Sequence, residues 1–143
     1  MSSLPIGGRR PGVSKPAVLD ASALLSLLND EPGADAVADA LTRSVVGAVN
    51  LAEVVSKLRG RGLSLDEVRE APGGLHLDVR PLSVAQASTA GDLRPGTRAL
   101  GLSPGDRACL ALALDLDAEL LTTDGDLARA EVAVPIRNVR QPS

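Results

Sequence analysis

Ala17-Val18-Leu19-Asp20-Ala21-Ser22-Ala23-Leu24-Leu25 is the stretch that decides how this chain is read. A short apolar run ends in a carboxylate, and the small residues and leucines after it begin a helix. In open α/β sheets, ligands gather in the crevice at the carboxyl ends of the strands. Asp20 stands where such a crevice would lie.

Working outward, strand and helix alternate. A helix over Ala21 to about Asn29 is followed by the break Asp30-Glu31-Pro32-Gly33 and a second helix from Ala34 to Arg43. Ser44 to Val49 is a second strand, with Asn50 as cap of a helix reaching about Arg61. Ser64-Leu65-Asp66-Glu67 has the form of a capping box, and its helix ends at Ala71-Pro72-Gly73-Gly74. Leu75 to Pro81 alternates like a strand, Ser83 to about Leu93 is helical, and Arg94 to Gly101 is a loop. A helix from Ser103 to about Leu116 is apolar on nearly all sides between Ala108 and Leu114, as a central buried helix would be. Ala118 to Thr122 is a strand, Thr123 to Asp126 a turn, Leu127 to Glu131 a brief helix and Val134 to Val139 a last strand. Such alternation predicts an α/β fold: a mostly parallel sheet with helices on both faces.

The chain has 143 residues, enough for one domain. Residues 1–16, rich in Gly, Pro, Ser and Arg, read as a flexible N-terminal arm, with Arg9 and Arg10 as possible phosphate contacts. Residues 17–140 form the domain. No apolar run reaches the ~20 residues that span a bilayer, and the start lacks the apolar centre of a secretory signal, so the expectation is a cytoplasmic protein with no membrane partner. Cys109 is the single cysteine, which excludes an internal disulfide and a cysteine-rich zinc site; within Ala108-Cys109-Leu110-Ala111-Leu112 it reads as a core thiol. The net charge of −3 is not that of a protein holding nucleic acid by bulk charge. There is no Phe, Tyr or Trp, so bases cannot stack on aromatic side chains, and contacts to RNA must come from arginine, lysine, backbone and metal.

Four carboxylates fall at strand ends or first helical turns: Asp20, Glu53, Asp106 and Asp124. Each has an ordinary reading beside the chemical one. Asp20 can cap the following helix. Glu53 can pair with Lys57 four residues on, although it borders the apolar face made by Leu51, Val54 and Val55. Asp106 occupies the acid position of a capping box that starts at Ser103. Asp124, like Asp126, flanks Gly125 in a turn sequence. All four nevertheless fall on one predicted edge of one sheet. Clustered carboxylates repel and are driven to protonate, and a divalent cation removes that penalty. Oxygen-only ligands suit Mg²⁺ or Mn²⁺, which activate water and stabilise a phosphate under attack. His76 is the only histidine, so a two-imidazole nuclease is excluded; on an alternating strand it reads as structural. No Gly-x-x-x-x-Gly-Lys-Ser/Thr loop is present.

These residues, as Val18 to Leu25, Val49-Asn50-Leu51-Ala52-Glu53-Val54, Leu102 to Ala113 and Leu120-Leu121-Thr122-Thr123-Asp124, resemble the PIN-domain ribonucleases, and most nearly the VapC-type toxins of bacterial toxin–antitoxin pairs. The resemblance covers about residues 17 to 139. It implies a PIN-like three-layer α/β fold with sheet order 3-2-1-4-5 and a Mg²⁺- or Mn²⁺-dependent endoribonuclease acting on structured RNA. It also implies a homodimer and a cognate antitoxin whose tail covers the site. Asp20, Glu53, Asp106 and Asp124 match the acidic quartet, which would be both catalytic and metal-binding. Ser22, Asn50 and Thr122 match supporting residues, and Asp126 is a further candidate. Arg107 is a candidate RNA contact by position, with a helix-surface salt bridge as the alternative. The chain departs from the family in having Gly125 after the last acid, where a basic or bulky residue is common, and in its lack of aromatics. Two other classes remain. A receiver-type module phosphorylated on Asp would need a late lysine, and none follows Lys57. A PIN-like scaffold that binds without cutting would not need an intact quartet.

Overall fold

The computed structural model describes residues 15–73 and 76–141; residues 1–14 of the expected N-terminal arm lie outside them. Strand β1 (Ala17–Leu19) sits at the centre and is fully buried. Helices α1 (Ala21–Leu28) and α2 (Ala34–Ala40) follow, the latter running on as a 3₁₀ turn (Leu41–Arg43). Strand β2 (Ser44–Gly47) leads into α3 (Ala48–Gly60), and α4 (Leu65–Gly73) precedes β3 (Asp78–Arg80). Helices α5 (Val84–Asp92) and α6 (Arg94–Thr97) and a 3₁₀ turn (Arg98–Leu100) lead to α7 (Pro104–Leu116). Strand β4 (Glu119–Thr122), α8 (Gly125–Ala128) and β5 (Ile136–Asn138) complete the order.

The five strands form one sheet in the order β3-β2-β1-β4-β5, all pairs parallel. Side chains alternate across a strand, and the register keeps the alternation in step: Val18 lies beside Val45 and Leu120, and Leu19 beside Val46 and Leu121. One face therefore packs Leu19, Val46 and Leu121 with Leu24, Val37, Val54 and Val68 from α1 to α4. The other packs Val18, Val45 and Leu120 with Cys109, Leu110 and Leu112 of α7 and Leu127 of α8. This is the three-layer α/β arrangement expected. Helix α7 is central, with Ala108 to Ala113 all buried, and Cys109 is a core thiol whose pKa burial pushes well up. At the amino edge of the sheet, Arg43 joins the Lys15 carbonyl (2.6 Å) to Glu119 (2.9 Å). No helix among the described residues is long and apolar enough to cross a membrane.

Several local expectations are corrected. Strand β2 stops at Gly47, and Asn50 lies inside α3 rather than capping it, because Gly47 is the cap. Strand β3 is confined to Asp78–Arg80 and is exposed along its length. His76, with φ of 52°, is in the left-handed region and cannot extend it; Leu75 lies outside the described residues. The expected loop from Arg94 to Gly101 is mostly helical, with Pro95 in the first turn of α6, a position that proline tolerates. The 123–126 turn is shorter than expected, since Gly125 already belongs to α8. The capping boxes at Ser64/Glu67 and Ser103/Asp106 are both formed, and a third joins Ser83 to Gln86.

Gly33 reverses the chain between α1 and α2 at a φ of 103°, and a Cβ there would lie 2.9 Å from Val139 Cγ2. Gly33→Ala is expected to destabilise by at least ~1 kcal/mol through its positive φ, and Leu110→Ala by about 2–5 kcal/mol through the cavity left in the core. Val84→Ser, at an 85% exposed site, should stay within about 0.5 kcal/mol of wild type. Urea unfolding of the three variants checks the ordering.

Candidate active site

Strands β1 and β4 run in parallel with Leu19 opposite Leu121, and Asp20 N–H donates to the Leu121 carbonyl one step past the end of β1. The next side chains in register, Asp20 and Thr122, meet at the carboxyl edge. The Thr122 hydroxyl donates to Asp20 Oδ2 at 2.5 Å. Asp20 Oδ1 accepts from the Ser22 hydroxyl at 2.7 Å and from Ala23 N–H at 2.8 Å, the latter being the N-cap bond of α1. Capping and site-building are thus the same act here. Both hydroxyls also accept: Ser22 Oγ from Thr123 N–H, and Thr122 Oγ1 from Asp124 N–H, each at 2.9 Å. The exit of β4 is tied to Asp20 through two hydroxyls, and a buried carboxylate gains three donors.

Burial still dominates its titration. Asp20 is 3% exposed, and loss of hydration raises its pKa above the ordinary value. The bonds from Thr122, Ala23 and Ser22 oppose the rise, and the charge of Asp106 adds to it.

Glu53 arrives from α3, half-buried. Burial raises its pKa first, then the charges of Asp106 and Asp20, with Lys57 pulling weakly the other way. No ion pair joins Glu53 to Lys57 among the described salt bridges. The Glu53 carboxylate instead lies over the first turn of α7, where a Cβ on Gly105 would sit 1.8 Å from Glu53 Oε1. Asn50 braces this contact, its Nδ2 donating to the Gly105 carbonyl at 3.3 Å and reaching Glu53 Oε1 at 3.5 Å.

Asp106 stands in the first turn of α7. Its Oδ2 accepts from Ser103 N–H at 2.9 Å, so the capping role is real, yet its charge raises the pKa of both Asp20 and Glu53. Asp124 caps α8, with Oδ1 accepting from Asp126 N–H at 2.8 Å. Asp126 is exposed and ion-paired with Arg129. Arg107 is half-buried and donates to the Leu102 carbonyl at 3.1 Å.

Asp20, Glu53 and Asp106 thus form one electrostatic unit, and Asp124 is fixed beside it through Thr122. Among the described residues no three His, Cys, Asp or Glu side chains converge tightly enough to hold one ion by themselves. The donors available are all carboxylate oxygens, and two of them are costly to keep ionised. That chemistry fits a hard divalent cation that retains part of its water shell.

Two contributions lay outside the sequence reading. Gly105 admits the Glu53 carboxylate; its signal was a glycine in a helical turn where Ala would be favoured by roughly 0.5–1 kcal/mol. The second is an open cleft of about 240 Å³ bordered by Ser22 and Thr123 and carrying Lys57, Arg61 and Arg140 beside Glu31. Its cations come from α3 and the chain end, and no sequence spacing joins them.

The PIN domain family model matches residues 17–133, and the chain belongs to the PIN-domain family. Its fold is similar to that of a toxin–antitoxin complex from Klebsiella pneumoniae, with 17% identity and a TM-score of 0.66 over 86% of this chain and 97% of that one. It is similar as well to DNA-bound VapBC from Salmonella typhimurium, with 15% identity and a TM-score of 0.69 over 87% and 98%. VapBC-1 from nontypeable Haemophilus influenzae gives 17% identity and a TM-score of 0.68 over 87% and 98%. No curated protein matches the sequence significantly.

Thr122→Val keeps the side-chain shape but removes a donor to Asp20 and the acceptor for Asp124 N–H. It is expected to cost about 1–3 kcal/mol, and Thr122→Ser should restore most of the loss in the same denaturation experiment.

Proposed function

We propose that this PIN domain is a metal-dependent endoribonuclease and the toxin of a VapBC-type pair. The observation that carries the reading is the unit of Asp20, Glu53 and Asp106 at the carboxyl edge of the sheet, with Asp124 braced beside it. Carboxylates that raise one another's cost of ionisation in a half-buried corner favour a cation that neutralises them. Asp20, Glu53, Asp106 and Asp124 would hold Mg²⁺ or Mn²⁺. When bound, the metal supplies the Lewis acidity with which water attacks a phosphodiester. Ser22 and Thr122 hold the Asp20 carboxylate in one orientation. Asn50 and Gly105 place Glu53. Asp126, occupied by Arg129, has the weakest claim to a supporting role. The cleft holding Lys57, Arg61 and Arg140 gives an anionic substrate a route to an otherwise acidic centre.

The biological assignment draws on the comparisons: structures sharing the fold over nearly their full length are toxin–antitoxin complexes. That likeness supports a cognate antitoxin partner; a homodimer and a cytoplasmic location are further parts of the proposal.

Purified protein is expected to cut total cellular RNA into discrete fragments with Mg²⁺ or Mn²⁺ and not with chelator. Asp20→Asn should abolish cleavage; cleavage that persists in this variant would overturn the site. Mn²⁺ should also raise the melting temperature of the wild type by several degrees, since a ligand at ~100 times its Kd contributes about 2.7 kcal/mol. Glu53→Gln should weaken that rise. Gly105→Ala should cut activity by at least roughly tenfold with intact circular dichroism, because the new methyl displaces the Glu53 carboxylate.

A further inference from the structure

A second cleft, of about 360 Å³, opens between α6, the 3₁₀ turn after it and the first turn of α7. It carries three guanidinium groups, Arg94, Arg98 and Arg107, and no acidic residue lines it. That composition is unusual in a chain with a net charge of −3. None of the three takes part in a described ion pair, while Arg43, Arg80 and Arg129 each do. Like charges brought together without counter-ions repel, so the arrangement calls for an anion from outside the chain.

The cleft is built rather than incidental. Thr97, 3% exposed, forms part of its wall and is pinned by a hydroxyl bond to the Leu93 carbonyl at 2.7 Å. Arg107 is anchored through one nitrogen to the Leu102 carbonyl, and its remaining donors have no described partner. Pro104 and Arg107 line the cleft and bracket Asp106 in the same turn of α7. The cleft is therefore walled by the same helical turn that carries Asp106 of the carboxylate unit, on the layer of α7. The cleft of Lys57, Arg61 and Arg140 borders that unit on the layer of α1 and α3.

The geometry points to a binding site for a non-scissile backbone phosphate of the RNA strand, held by Arg94, Arg98 and Arg107 beside the carboxylates. This rests on the nuclease reading and adds to it where the strand lies. Guanidinium forks match phosphate oxygens in pairs. With no aromatic side chain to stack bases, a phosphate grip is the means left to set register. An acidic peptide segment is the competing occupant. RNA is favoured because the cleft is walled by the helical turn that carries Asp106 of the proposed centre, and because its cations are all arginines, whose planar forks match phosphate oxygens.

The test separates binding from cutting. Binding of a fluorescent 12-nucleotide RNA is measured by anisotropy over a salt series in the Asp20→Asn background, with Arg94→Gln, Arg98→Gln and Arg98→Lys added singly. Each Gln variant should weaken binding about tenfold and flatten the log–log salt slope by about 0.7, with Arg98→Lys intermediate. In the otherwise wild-type enzyme, Arg98→Gln should raise KM for the 12-mer and leave the cleavage rate of a dinucleotide unchanged. Unchanged affinity and slope in folded variants would overturn the phosphate site while leaving cleavage, and hence the nuclease reading, intact. Variant-sensitive RNA binding by a protein whose wild type never cuts would keep the site and remove the nuclease. Loss of binding to a polyglutamate peptide, with RNA binding unaffected, would overturn the proposal in favour of an acidic partner.

Discussion

The hydroxyl of Thr122 connects two strand ends that otherwise share only a backbone ladder. It gives its proton to Asp20 on β1 and accepts from Asp124 N–H beyond β4. A hydroxyl can do both at once; a carboxylate or an amide could not serve the same two neighbours in the same space. Ser22 repeats the device one turn into α1, donating to Asp20 and accepting from Thr123 N–H. The Asp20 carboxylate thus gains donors from both hydroxyls in a place where burial opposes ionisation. The centre of the sheet is thereby locked to the one group it can least easily keep charged.

That conflict explains the rest of the corner. The charge of Asp106 raises the pKa of Asp20, and the charges of Asp106 and Asp20 raise that of Glu53, with Lys57 opposing last and least. The sheet core beneath them is apolar on both faces, so the cost cannot be relieved from below. Protonation relieves it, or, on the proposed reading, a cation arriving from the open side. Sites of function are where a fold departs from its own local preferences. Gly105 is such a departure: a helix gives up a side chain in its first turn so that a carboxylate from α3 can rest against it.

What the sequence made legible follows the range of the interactions. Strand–acid–helix at Asp20, the capping box at Ser103 and the buried run of α7 are local patterns, and each appears where read. The parallel sheet follows from alternation, and its order from the resemblance. Asn50 was misplaced because a capping residue and a side chain reaching 55 positions along the chain look alike in sequence; β2 is short, and the helix begins three residues early. His76 was read from alternation that a single left-handed residue interrupts. The turn from Arg94 to Leu100 was read as loop because Pro95 and Gly96 signal breaks, whereas proline in a first helical turn is compatible with α6. The site is less legible than the fold. Its four acids could be named singly, but the partition between capping and chemistry depends on contacts across three elements. For Asp20 and Asp106 the structure shows a cap bond and electrostatic coupling to the other acids in the same side chain.

The lack of aromatics has a consequence that runs through both core and surface. A core of Leu, Val, Ala and Ile fills a three-layer fold without difficulty, as the fully buried β1 and α7 show. On the surface the same composition removes every flat apolar face on which a base could rest. Recognition must then pass through charge and donor geometry, which favours backbone over base. The placement of cations agrees. Arg43, Arg80 and Arg129 are spent on ion pairs, whereas the two clefts beside the carboxylates gather Lys57, Arg61 and Arg140 on one layer and Arg94, Arg98 and Arg107 on the other. Six cations outside the described ion pairs thus line these two clefts in a chain whose net charge is −3. On the proposed nuclease reading, a metal-neutralised centre flanked by these clefts would take a polyanion, and its selectivity would come from the shape of the strand rather than from its bases.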